Sequence, residues 1–154
     1  MLTLLILSAF VALILYAGVD LTLTATQVLP STGAKFLHGL SGEALTHGQV
    51  VYKKAADGLY WLADADAEAS AAAVGVVMCE AVAAGQEIVV QVEGDITLGA
   101  GAAPARGVLY LVSPTAGGYA PAPAASGDYL TVIGYGIGSN KIRLDINVTG
   151  IAAA

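Results

Sequence analysis

The sequence predicts an all-β fold, a small β-sandwich or barrel with Gly-rich hairpins, preceded by one apolar N-terminal α-helix. Three observations carry this prediction. Met1 to Val19 hold no charged side chain, and Asp20 is the first. Beyond Asp20, short runs rich in Val, Ile, Leu, Thr and Tyr alternate with Gly, Pro, Asn and Asp, the pattern of strands and turns. The turn residues recur too often for a long helix to fit between them. The chain therefore divides into residues 1–19 and a β-rich body over residues 20–154.

At a helical rise of about 1.5 Å per residue, the first segment would span roughly 28 Å, near the thickness of a bilayer core. Only Thr3 and Ser8 interrupt its apolar surface, and a helix apolar all round must be shielded by lipid or protein. Three readings follow: a membrane anchor, a helix buried between subunits, and a secretory signal. The signal reading lacks a basic start and a clear small-residue cleavage pattern. No Lys or Arg follows until Lys35, so nothing local orients an anchor.

In the body, Leu21–Thr26 alternates apolar and hydroxyl side chains, as a half-buried strand would. Val50–Lys53 and Leu59–Leu62 flank an Asp57-Gly58 turn, a hairpin signal. Val74–Cys79 and Glu87–Val92 flank Ala83-Ala84-Gly85. Asp95–Leu98 is a short strand. Val108–Val112 returns near Gly117-Gly118-Tyr119. Tyr129–Ile133 and Lys141–Val148 complete nine or ten strands. A helix is predicted only around Ala65–Ala73, with Asp64 or Asp66 as its N-cap. An internal echo is also visible. Tyr52 and Gly75 bracket one hairpin and Tyr110 and Gly134 another, with offsets of 58 and 59 positions between the two. Two pseudo-equivalent halves would produce it.

Composition narrows the function. Charged residues make up 12 % and hydrophobic residues 56 %, which suits a chain that hides surface against other chains. The net charge is −6 and the pI about 4.5, which argues against nucleic-acid binding. The single Cys79 rules out an internal disulfide.

No residue type in this chain falls into a catalytic, cofactor-binding or metal-binding pattern. His38 and His47 are nine positions apart in loop-like sequence, without the close third ligand that zinc requires. Asp64, Asp66 and Glu68 alternate, but the Gly and distal Glu of a calcium loop are missing; a capped turn explains them better. Cys79 sits in an apolar run and reads as a small core residue. Gly99-Ala-Gly101 and Gly134-Tyr-Gly136-Ile-Gly138 lack the strand-to-helix context of a phosphate loop; alternate glycines in a strand instead permit close backbone approach. Tyr52, Tyr60, Trp61, Tyr110 and Tyr119 lie on or beside hairpins, where they suit packing or, less often, sugar stacking.

The turn-and-strand phrases carry a resemblance. They are Asp20-Leu-Thr-Leu-Thr-Ala-Thr26, Gly42-Glu-Ala-Leu-Thr-His-Gly-Gln-Val-Val-Tyr52, Asp57-Gly-Leu-Tyr-Trp-Leu-Ala-Asp-Ala-Asp66, Val74-Gly-Val-Val77, Ala83-Ala-Gly-Gln86, Gly94-Asp-Ile-Thr-Leu-Gly99 and Gly127-Asp-Tyr-Leu-Thr-Val-Ile-Gly134. From Val19 onward the chain resembles the head decoration, or capsid cement, proteins of tailed phages. The resemblance implies a β-rich, commonly trimeric virion protein that sits on the outer capsid and stabilises it. Its partners would be its own copies and the major capsid protein, and it would need no cofactor. Residues 1–18 depart from the pattern and leave two further classes open: a pilin-like filament subunit and a membrane-anchored surface binding module.

Overall fold

The computed structural model describes residues 20–121 and 125–154. The helix expected over residues 1–19 lies outside the described residues. A 3₁₀ turn, Ala25–Gln27, comes first. The strands are β1 (Leu29–Pro30), β2 (Lys35–Leu40), β3 (Val50–Lys53), β4 (Tyr60–Leu62), β5 (Ala73–Val77), β6 (Glu87–Thr97), β7 (Leu109–Val112), β8 (Tyr119–Ala120), β9 (Tyr129–Gly138) and β10 (Lys141–Ala152), with one short helix, α1 (Glu68–Ala71), before β5. They form an antiparallel sheet curled into a half-barrel, ordered β4-β3-β5-β6-β10-β9-β7-β8, with β1 and β2 on the other side of β6. The all-β class is as predicted, and of the expected small sandwich or barrel the sheet takes the form of a curled half-barrel.

The internal echo is a structural repeat. Val51 pairs with Gly75 on β5, and Tyr110 pairs with Gly134 on β9. Both partners move by 59 positions, from 51 to 110 and from 75 to 134. The same shift turns Tyr52↔Trp61 into Leu111↔Ala120, and Tyr52↔Ala73 into Leu111↔Val132. The register break between Val51 and Tyr52 recurs between Tyr110 and Leu111. Even a turn bond repeats: Gly48 N–H to Val77 O, 2.9 Å, matches Gly107 N–H to Gly136 O, 2.8 Å. One unit is thus β2-β3-β4-β5 with the first half of β6. The second is the last half of β6 with β7-β8-β9-β10.

Strand β6 belongs to both units and bends where they meet. Gly94 has φ +90°, open only to glycine at no cost, and a Cβ there would collide with the Gly33 carbonyl. Gln91 braces the bend from inside. Its side chain is fully buried, and Nε2 donates to Glu93 O at 3.1 Å and Asp95 O at 3.0 Å. Two cores flank the bend. One gathers Val50, Val76, Ile96, Leu98, Val112, Ile133 and Ile142. The other gathers Leu45, Val51, Tyr60, Val77, Ile88 and Val90.

Several expectations need correction. Leu21–Thr26 is not a strand. Leu21 and Leu23 pack on the core; among the described residues the segment bonds to distant backbone through Leu21 N–H to Tyr119 O and Thr24 N–H to Leu98 O, while the carbonyls of Thr24 and Ala25 close the 3₁₀ turn. Glu87–Val92 and Asp95–Leu98 merge into β6, because Gly94 bends the strand without ending it. The helix is four residues long, and its N-cap, Ala67, has no side chain to bond with. Asp64 instead holds the preceding turn, accepting from Asp66 N–H at 3.1 Å and Ser70 Oγ at 2.8 Å. β2 falls where the sequence predicts loop, because Phe36 and Leu37 adjoin and break the alternation that marks a strand.

The two glycines Gly58 and Gly94 separate strain from collision. Gly58 has φ +71° with open space around its Cβ position, whereas Gly94 has both a positive φ and backbone in the way. Gly58→Ala is expected to lose about 1 kcal/mol and Gly94→Ala about 2–4 kcal/mol. Chemical denaturation of both variants checks the order; equal losses would mean that β6 does not depend on this bend.

Candidate functional site

The residues weighed from sequence do not converge. His38 lies on β2 and is exposed, not in a loop; its neighbours Leu37 and Gly39 pair with Val90 and Ile88. His47 is half-buried in the turn before β3, with Nδ1 3.9 Å from Glu80. Among the described residues no group of three metal-ligating side chains occurs. Cys79 is exposed, contrary to its expected place in the core, because β5 ends at Val77 and the chain turns out into a bend.

Both glycine runs serve packing. Gly99, with φ +91°, lies against Thr24 and Gln27, and the next N–H, of Ala100, donates to Gln27 Oε1 at 2.7 Å. Gly134 and Gly136 sit inside β9, where a Cβ would strike the Arg143 and Ala105 carbonyls. The aromatics are also committed. Tyr119 is fully buried, and its hydroxyl donates to Gly48 O at 2.8 Å; burial pushes its phenol well above the ordinary value. Trp61 has Gly42 against its indole and the Lys54 ammonium 4.6 Å from the ring centre, while Nε1 donates to Asp57 at 3.2 Å. That ring is not presented as an open sugar platform.

A cleft of about 420 Å³ opens at the β6 bend, lined by Thr32, Gly33, Glu93, Gly94, Arg143, Leu144 and Asp145. Its main feature is structural. Arg143 on β10 donates to both oxygens of Asp95 on β6, at 2.7 and 3.1 Å, a bidentate pair of strong geometry. Asp95 is nearly buried, and the bonded guanidinium holds its carboxyl below the usual range. The pair ties β10 to β6 just past the bend.

The feature that remains without an internal use is apolar surface at strand edges. β2 is an end strand, bonded along its length only to β6 among the described residues. Phe36 and Leu40 leave one of its faces and Leu37 the other, yet all three are exposed. Exposure on both faces marks a strand that lacks a neighbour. β10 pairs with β6 only through Leu144 and then continues to Ala152 with β9 alone, leaving Val148 and Ile151 exposed. Sequence reasoning missed both edges, because β2 was not recognised as a strand and the separation of β10 from β6 depends on the bend.

Comparison with protein-family models, with curated proteins and with solved structures yields no match. Among the described residues, no helix is long and apolar enough to cross a membrane.

The Arg143–Asp95 pair has a pH signature. Arg143→Met leaves Asp95 nearly buried without its counter-charge. A loss of stability is expected at neutral pH, smaller than for a fully buried pair because Arg143 is half exposed. Because Asp95 titrates below its unfolded value, its contribution is complete above about pH 4 and disappears as pH falls through the folded value. Urea melts across pH should show parent and variant converging in acid; a constant gap would mean that the pair does not carry the effect.

Proposed function

We propose that this chain is a non-enzymatic structural subunit of a virion, decorating or stabilising a capsid as a homotrimer. The observation that supports the reading is the placement of exposed apolar side chains on the unpaired edges of β2 and β10, in a body with 12 % charged residues. Such edges recruit other chains unless they are blunted, and apolar surface of this kind marks contact sites. Among the described residues the histidines, the cysteine and the acidic cluster lie apart from one another, and no group of three metal-ligating side chains occurs.

In this reading the partners are copies of the chain and the major capsid protein, and the place of action is the capsid surface. Residues 1–19 would add an apolar element, set either in the oligomer or in a membrane. The curled sheet would serve as a compact, partly closed barrel body. The resemblance of the turn-and-strand phrases to phage decoration proteins supports the same class.

Light scattering on the full chain at micromolar concentration, with negative-stain microscopy of the same sample, tests the proposal. The expected result is a uniform trimer of small discrete particles. A monomer would refute self-association. Long fibres would favour a filament subunit instead.

A further inference from the structure

We propose that Asn147 is an acceptor for N-linked glycosylation, taking an oligosaccharide from a lipid diphosphate carrier onto its side-chain nitrogen. The assignment is separate from the self-association proposed above and does not depend on it.

The run Asp145-Ile-Asn-Val-Thr149 holds the motif Asn-x-Thr with a residue other than proline at its centre. The chain has two asparagines, and the other, Asn140, is followed two places on by Ile142, which has no hydroxyl. A carboxamide nitrogen is a weak nucleophile, because its lone pair is shared with the carbonyl. A transferase therefore needs a handle beside it, and the hydroxyl two places on supplies one. Asp145 adds an acid two places before Asn147, the longer form of the signal that bacterial-type transferases read.

The fold leaves this motif within reach of an enzyme. β10 pairs with β6 only as far as Leu144 and beyond that with β9 alone. Register breaks lie between Leu144 and Asn147 and again between Val148 and Ile151, so only Asn147↔Val132 and Val148↔Thr131 hold the ladder between them. Breaks of this kind loosen pairing and gather where a strand re-aims a side chain. Asn147, Val148 and Thr149 are all exposed, and Gly150 turns the backbone beside them with φ +67°. Thr149 Oγ1 donates to Leu130 O and accepts from Ile151 N–H at 3.1 Å. Both are surface bonds, which the hydroxyl gives up when an enzyme takes hold of it. Asn140 differs here too, since it is held in the tight turn between β9 and β10 at φ +60°.

In the transfer, Asn147 Nδ2 attacks the anomeric carbon of the first sugar. A carbon–nitrogen bond forms and the bond from that carbon to the phosphate oxygen breaks. The electron pair leaves with the lipid diphosphate, one amide proton passes to a base of the transferase, and nothing is oxidised or reduced. The carrier lies in a membrane, and the uncharged run Met1–Val19 is long enough to bring the body to one. Asn147 and Val148 are adjacent on an extended strand and leave opposite faces. A glycan on Asn147 therefore leaves the Val148 face to a partner chain.

The test incubates the purified, folded full chain with a detergent-solubilised bacterial-type oligosaccharyltransferase and its lipid diphosphate oligosaccharide, and reads the intact mass. The expected result is a gain of one oligosaccharide, placed on Asn147 by peptide mapping. The gain should vanish in Asn147→Gln, persist in Asn140→Gln, persist in Thr149→Ser and vanish in Thr149→Val. Asn147 is exposed, so Asn147→Gln should melt with the parent; if it does not, the Thr149→Ser and Thr149→Val pair carries the test. A folded chain that gains no mass overturns the inference, whether or not a peptide of residues 141–152 is modified under the same conditions. A gain that survives Asn147→Gln overturns it as well. Light scattering on Asn147→Gln is a separate readout: a monomeric chain refutes self-association and leaves the acceptor site standing.

Discussion

The bend of β6 at Gly94 is the constraint on which the rest of the molecule depends. A strand held straight would offer each side to one continuous partner. By turning at Gly94, β6 gives its first half to β2 and β5 and its last half to β1 and β10. Three short-range features hold the turn: the positive φ of Gly94, the close passage of Gly33, and the amide of Gln91 bonded to the carbonyls on either side. Among the described residues Gln91 Oε1 is buried without a hydrogen-bond partner, a desolvation cost of about 1–3 kcal/mol that the two donated bonds offset. The Arg143–Asp95 pair then fixes the departing strand one residue beyond the bend.

Sharing a strand between two units has a consequence for the surface. Each unit must curl its far edge back, and the two do so with different donors at matching carbonyls. Tyr60 O on β4 accepts from Gly42 N–H at 2.7 Å, while Tyr119 O on β8 accepts from Leu21 N–H at 3.0 Å. Tyr60 and Tyr119 are 59 positions apart and both buried. Residues 20–24 therefore supply to the second unit what Ser41-Gly42 supplies to the first. From there the chain runs to the 3₁₀ turn and β1, which covers the outer edge of β6. One leading segment can close one unit and cover one edge. The corresponding edges on β2 and β10 are left over.

What could be read from the sequence was whatever local chemistry dictates. The Asp57-Gly58 turn is specified by its own residues: Asp57 Oδ1 accepts from Leu59 N–H at 2.9 Å, and Gly58 takes the positive φ. The repeat was visible through Gly75 and Gly134, which both sit where a neighbouring backbone carbonyl leaves no room for a Cβ, whereas Tyr110 corresponds to Val51 and not to Tyr52. Features that depend on distant partners were not visible. The Leu21–Thr26 alternation reports the packing of Leu21 and Leu23 without revealing that the backbone bonds at isolated points and forms no strand ladder. Cys79 looked internal because Val74–Met78 is apolar, yet the ladder ends at Val77. The bare edges were the least legible, because a missing neighbour leaves no mark on the residues that lack it.

The repeat also explains why an apolar chain with few charges can form a defined body. One small core lies within the first unit, and the other is shared, gathering Val50 and Val76 from the first unit with Val112, Ile133 and Ile142 from the second, so neither unit stands far from the other. Joining them through one continuous strand makes the second core an extension of the first. It also means that any strand added at a bare edge continues an existing ladder and need not nucleate a new one, so the ordering cost falls on the incoming strand alone. Leu37 and Val148 are already held in extended backbone by β6 and β9 respectively. An edge prepared in this way is left with exposed apolar side chains still to cover, Leu37 on β2 and Val148 on β10.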